Sequence, residues 1–153
     1  DVHDSSSRMR SVADFDAVLL PELRKNLDVS VLGPGFSRAP EAVKDLLGLL
    51  RRADALAGLH GAGLAHVLYL RPGALLLELK TRYGLEKAMF AEMARQRGVA
   101  YYAVDVRRHT GRRGVFLPRS VAAKLSEGLR EAIALHRAEA KNKTAGPCVP
   151  EDW

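Results

Sequence analysis

Ala53-Asp54-Ala55-Leu56-Ala57-Gly58-Leu59-His60-Gly61-Ala62-Gly63-Leu64 runs from an apolar segment of strand length into two glycines, and Ala65-His66-Val67-Leu68-Tyr69-Leu70 follows as a helix. A buried strand that turns through glycines into a helix aims several backbone N–H groups at one point, which is also the positive end of the helix dipole. A phosphate or diphosphate suits that point. Gly61 and Gly63 let a ligand oxygen approach the main chain. His60 adds a side-chain donor at the carboxyl end of the strand, where open α/β sheets hold their ligands. Such a turn can equally serve only to pack a strand against its helix, and such a histidine only as a satisfied structural residue. The turn by itself leaves both readings open.

Working outward, the chain alternates. Ala13 to Asn26 carries Phe15, Val18, Leu19 and Leu23 at helical spacing, softly interrupted by Pro21. Asp28 to Leu32 is a β-branched run stopped by Gly33-Pro34-Gly35 and reads as a strand. Pro40 to Arg52 reads as a helix with Val43, Leu46, Leu47, Leu49 and Leu50 on its apolar face. Arg71-Pro72-Gly73 stops the helix after the glycine turn, and Ala74 to Leu79 is a continuous apolar run, as in strands covered on both faces. Leu85 to Arg97 is a helix closed by Gly98, Val99 to Val106 a strand containing Tyr101 and Tyr102, and Pro118 to Lys141 a long final helix. Met89, Phe90, Met93 and the two tyrosines read as core positions. Strict alternation of helix and strand predicts a parallel sheet sandwiched by helices, a Rossmann-like α/β domain. Its first strand would fall before Asp1 or in the first few residues. The chain also opens without an initiator Met. It therefore reads as a piece of a longer protein: residues 1–141 a domain truncated at its start, 142–153 a tail.

At 153 residues the chain suffices for one domain, and 47% apolar with 27% charged residues is ordinary for a soluble globular one. No uninterrupted apolar run has the ~18 residues of a membrane span, and no signal peptide opens the chain. Cys148, the single cysteine, has no internal disulfide partner. Asn142-Lys143-Thr144 matches a glycosylation sequon, a triplet common by chance. The net charge of +6 is spread out apart from Arg107-Arg108-His109-Thr110-Gly111-Arg112-Arg113. That stretch lacks the interleaved aromatics of a single-strand binder, so nucleic acid is not the expected partner. His60 and His66 are six apart and do not share a helix face, and no metal-ligand cluster is evident.

The segment ADALAGLHGAGLAHVLYLRPGALLLELKTRYGLEKAMFAEMARQRGVAYY, Ala53 to Tyr102, resembles the carboxyl-terminal part of family sixty-one glycosyltransferases. Within them it looks closest to the EGF-domain-specific O-linked N-acetylglucosamine transferases and their plant and protist relatives. The features that carry the resemblance are an acidic residue before the strand, the His-Gly-Ala-Gly-Leu turn, the Tyr-Leu-Arg-Pro-Gly stop and the strand ending in Glu-Leu. The helix closing in Arg-Gly-Val completes them. Outside that window, Ser7-Arg8-Met9-Arg10-Ser11 matches an Arg-rich segment of the family without its usual Asn. The resemblance implies a GT-B architecture, with this chain most of the second, donor-binding domain, facing the amino-terminal domain of the same enzyme. It implies inverting, metal-independent transfer from a UDP-sugar, of N-acetylglucosamine or a pentose, to a protein or glycan hydroxyl in the secretory pathway lumen. No cofactor beyond the donor is expected.

The residues fit that chemistry. The diphosphate leaves with developing negative charge, and preorganised donors aimed there lower the barrier. His60 and the amides of Gly61, Ala62, Gly63 and Leu64 are the candidates. Glu78 ends the next strand, where an acidic side chain accepts from ribose hydroxyls in dinucleotide-binding folds. Arg10 adds charge near the diphosphate. No Asp or Glu declares itself as the general base that inversion requires. The alternative from another class is a degenerate transferase fold that holds a nucleotide without catalysis.

Overall fold

The computed structural model describes residues 12–13, 15–32, 40–80, 88–111 and 114–144. Arg10, Cys148 and most of the 142–153 tail lie outside them, as do the first residues of the helix expected from Leu85. In chain order the elements are β1 (Val12–Ala13), a π-helical turn (Phe15–Leu19) leading into α1 (Leu20–Arg24), α2 (Pro40–Arg52), β2 (Ala55–Leu59), a 3-10 helix (Ala62–Tyr69) and β3 (Leu75–Lys80). There follow α3 (Met89–Arg97), β4 (Ala100–Asp105), a 3-10 turn (Arg107–His109), β5 (Thr110–Gly111), β6 (Gly114–Phe116) and α4 (Arg119–Thr144).

The strands β2, β3 and β4 form a parallel sheet in that order, with Ala55 opposite Leu75 and Leu75 opposite Ala100. Helices flank it on both faces, the mixed α/β, Rossmann-like arrangement that the alternation predicts. The period of two along β3 explains the layering. Leu75, Leu77 and Leu79 face a core completed by Leu19, Val106, Val115, Leu117, Ala122 and Leu129. Leu76 faces the other core, with Leu46 and Leu50 of α2, Leu64, Val67 and Leu70 around the 3-10 helix, and Phe90 and Ala94 of α3. Both faces of β3 are therefore dry, which is why its sequence is apolar from Leu75 to Leu79 apart from Glu78. A second, small sheet joins β1 to β6 in parallel and β6 to β5 in antiparallel.

Two expectations need correction. Met89 and Tyr102, read as core positions, are exposed. Asp28 to Leu32 forms no strand; it runs irregularly, with Val31 exposed and only Leu32 packed on the core. A β-branched run becomes a strand only when a neighbour supplies its ladder, and none of the described strands pairs with it. The helix expected after the glycine turn forms, wound as a 3-10 helix. Its apolar residues explain the tighter winding: Leu64, Val67 and Leu70 recur every third residue, the 3-10 period, and all three are buried.

The helix ends are closed as the sequence indicates. Gly98 takes the left-handed conformation at the end of α3 (φ 67°), and its own carbonyl accepts from the Gly73 N–H at 2.8 Å. The final helix is tied at two places. Arg119 bonds the carboxylate of Glu22 at 3.1 Å and Ser126 Oγ donates to the Glu22 carbonyl at 2.8 Å. Further along, Arg137 joins Arg71 on the carboxylate of Asp54, at the entrance to β2. Among the described residues no helix is long and apolar enough to cross a membrane.

Candidate functional site

His60 continues the ladder beyond β2, its N–H donating to the Leu79 carbonyl at 3.0 Å. It therefore sits at the carboxyl edge of the sheet, as the strand assignment requires. The pleat places its ring on the same face as Gly58, the α2–3-10–α3 side. Gly58 lies opposite Glu78, and Leu76 opposite Tyr101, in the ladder. Glu78 is thus the diagonal neighbour of His60 on one side and of Tyr101 on the other, the spacing at which long side chains meet across strands. They do meet: His60 Nδ1 pairs with Glu78 Oε1, and the Tyr101 hydroxyl donates to Oε2 at 2.5 Å. The His60 ring stands edge-on to Phe90, centroids 5.3 Å apart.

Glu78 has 0% of its surface exposed and His60 6%. In this geometry the Glu78 carboxylate meets His60 and Tyr101, and no face of it is open to a ribose; the position is internal because a run covered on both faces encloses it. Burial, reinforced by the adjacent Glu78, raises the Tyr101 hydroxyl well above the usual phenol range. Tyr101 therefore stays neutral and a donor. The hydroxyl contact is what sequence reasoning missed: Tyr101 packs against the core as expected, and only the strand register reveals what its oxygen reaches.

The turn itself divides the anticipated amides. The Leu64 N–H is used internally, bonded to the Gly61 carbonyl at 3.0 Å, and its side chain is buried. Ala62 and Gly63 are exposed at the start of the 3-10 helix, where the first N–H groups lack an intrahelical acceptor. His66 reaches back from the helix, its Nδ1 2.7 Å from the Gly63 carbonyl. This contact fixes the peptide that follows Gly63.

The glycines are not equivalent. A Cβ at Gly58 would meet Leu64 Cδ2 at 3.2 Å, so Gly58 is the residue that lets strand and helix pack closely. Gly61 is extended (φ 170°, ψ 172°), a conformation open to any residue, and a Cβ there would meet only the Leu59 carbonyl at 3.8 Å. At Gly63 a Cβ would meet nothing within 4 Å among the described residues. Packing accounts for Gly58 and leaves Gly61 and Gly63 unexplained.

The basic stretch is partly neutralised within itself. Arg107 bonds both carboxylate oxygens of Asp105, at 3.0 and 2.8 Å, and residues 112–113 lie outside the described ones.

No protein-family model matches the chain, and no solved structure matches it. The chain is 35% identical over 96 residues to the EGF domain-specific O-linked N-acetylglucosamine transferase of Drosophila melanogaster. That stretch takes in 62% of this chain and 17% of the fly protein, so the chain spans about a sixth of its relative's length. A Rossmann-like sheet carrying a histidine and a glycine turn at its carboxyl edge accordingly has a distant, glycosyltransferase-like relationship.

Proposed function

We propose that this chain is the donor-binding part of a family sixty-one glycosyltransferase. Residues 1–141 would form the second, Rossmann-like half of a GT-B enzyme, opposite the amino-terminal domain of the same protein. It binds a UDP-sugar for inverting, metal-independent transfer, of N-acetylglucosamine or a pentose, to a protein or glycan hydroxyl in the secretory lumen. The observation that carries this reading is the contrast among the glycines. Gly58 is demanded by Leu64, whereas Gly61 and Gly63 answer to no contact among the described residues. Side-chain-free positions at a helix start keep a lane open for a phosphate to reach the main chain. The amides of Gly61, Ala62 and Gly63, with His60, then face the leaving diphosphate and stabilise its developing charge. Glu78 enters through His60 rather than through the ribose. Arg10 is retained as a candidate for added charge near the diphosphate.

The test is titration of the chain with UDP and a panel of UDP-sugars, on wild type and Gly63→Val. The variant is expected to melt within ~1 kcal/mol of wild type, the scale of helix propensity at an exposed position, and to lose donor affinity at least tenfold. Wild-type affinity in Gly63→Val, or no saturable binding of any UDP-sugar by wild type, overturns the proposal. Binding without sugar transfer by the protein containing the amino-terminal domain would identify a nucleotide-holding module instead.

A further inference from the structure

We propose that Glu78, steadied by Tyr101, is a positioning residue: it keeps a proton on Nδ1 of His60, so that Nε2 is the ring nitrogen left to meet the leaving diphosphate. This rests on the donor-site reading above and assigns a task to a buried group which that reading does not otherwise use.

Glu78 lies in the apolar run of β3, between Leu77 and Leu79, with no exposed surface. A buried carboxylate is costly even when paired, and an apolar side chain of similar size is often the more stable occupant. Folding therefore gives no reason for a glutamate here. The arrangement around it gives one. Its two oxygens are shared out, Oε1 to His60 and Oε2 to Tyr101. The Tyr101 hydroxyl stays neutral in this setting, so it has the proton to donate to Oε2. With Oε2 so occupied, Oε1 is directed at Nδ1. Phe90 bears on the ring from the side, so the imidazole is held both in rotation and in tautomer. Besides the Glu78 carboxylate, the Lys80 ammonium lies 6.0 Å from the centroid of the Tyr101 ring.

The chemical consequence follows from the two ring nitrogens being distinct. A carboxylate on Nδ1 holds a proton there, and when Nε2 also carries one its N–H is the donor that faces a ligand. Hydrogen bonding from Nε2–H to a diphosphate oxygen needs no proton transfer, and the Glu78 charge offsets that of the ring.

The experiment reads the His60 ring directly. Nitrogen-15 spectra of the chain, wild type, Glu78→Gln and Tyr101→Phe, are recorded without ligand, and the same samples are titrated with UDP. The expected wild-type signature is a protonated Nδ1. In Glu78→Gln that signature is expected to be lost and UDP affinity to fall at least tenfold. In Tyr101→Phe a smaller shift and a several-fold loss are expected; this variant decides the matter if Glu78→Gln does not fold. Unchanged His60 resonances in the folded variants overturn the positioning role, whatever UDP does. Altered resonances with unchanged UDP affinity also overturn it, and if Gly63→Val still abolishes binding the donor site stands without Glu78. If wild type does not bind UDP at all, the donor-site reading fails and this role falls with it.

Discussion

Three glycines within six residues take different parts, and single substitutions separate them. Gly58→Ala pushes a methyl group against Leu64 Cδ2 at 3.2 Å. Because the far end of a leucine can give way, the expected loss is about 1 kcal/mol, the low end for overpacking. Donor affinity should change little. Gly61→Ala places its methyl group in ordinary contact with the Leu59 carbonyl, at 3.8 Å, on extended backbone, so the melting temperature should hold while donor affinity falls. Thermal melts and UDP titrations of both variants check the pair; the reverse pattern would make the turn a packing device. His60→Ala acts on both readouts, since it deprives the enclosed Glu78 of a partner. A stability loss of about 1–3 kcal/mol is expected from that orphaned group, with turnover lowered about ten- to a thousand-fold. Glu78→Leu, which removes the orphan as well, should recover the stability of His60→Ala without recovering turnover.

At the scale of elements, Leu70 closes the 3-10 helix and is completely buried. Leu70→Ala should destabilise by about 2–5 kcal/mol in denaturant melts, more than any change at the exposed Leu68. The sheet was legible because its strands announce themselves: Leu75 to Leu79 is apolar on both faces but for Glu78, and Gly98 marks the end of α3 as clearly in the chain as in its φ angle. The 3-10 winding was written in the sequence too, in Leu64, Val67 and Leu70, but a spacing of three over so few residues is easily read as a 3.6-residue period. Asp28 to Leu32 misled because β-branched composition says nothing about a partner strand. The site was half legible. His60 and the glycines stand together in the chain, whereas the meeting of His60, Glu78 and Tyr101 depends on strand register, which local sequence does not encode. A glutamate inside an otherwise apolar run was the available sign that Glu78 is enclosed.

Across the whole molecule, ion pairs supplement the core packing of the last helix. Arg137, then Arg71, holds the Asp54 carboxyl below its ordinary range despite partial burial, and Lys25, ahead of Arg119, does the same for Glu22. A lowered pKa in the folded state binds protons less readily than the unfolded chain does. This stability is therefore fully present above the unfolded carboxylate pKa near 4 and is lost as pH falls through the folded values. Melts of wild type and Asp54→Asn should differ by about 1 kcal/mol or less at neutral pH, converge on acidification, and differ less in high salt. The crossover between β2 and β3 also sets a requirement of length. It must carry the chain back from Leu59 to the level of Ala55 and Leu75, four steps of strand or ~13 Å. Eight residues wound as a 3-10 helix reach ~16 Å; wound as an α-helix they would reach only ~12 Å. The tighter coil is also the longer one, and its reach sets His60 at one rim of the sheet while Leu75 begins at the other.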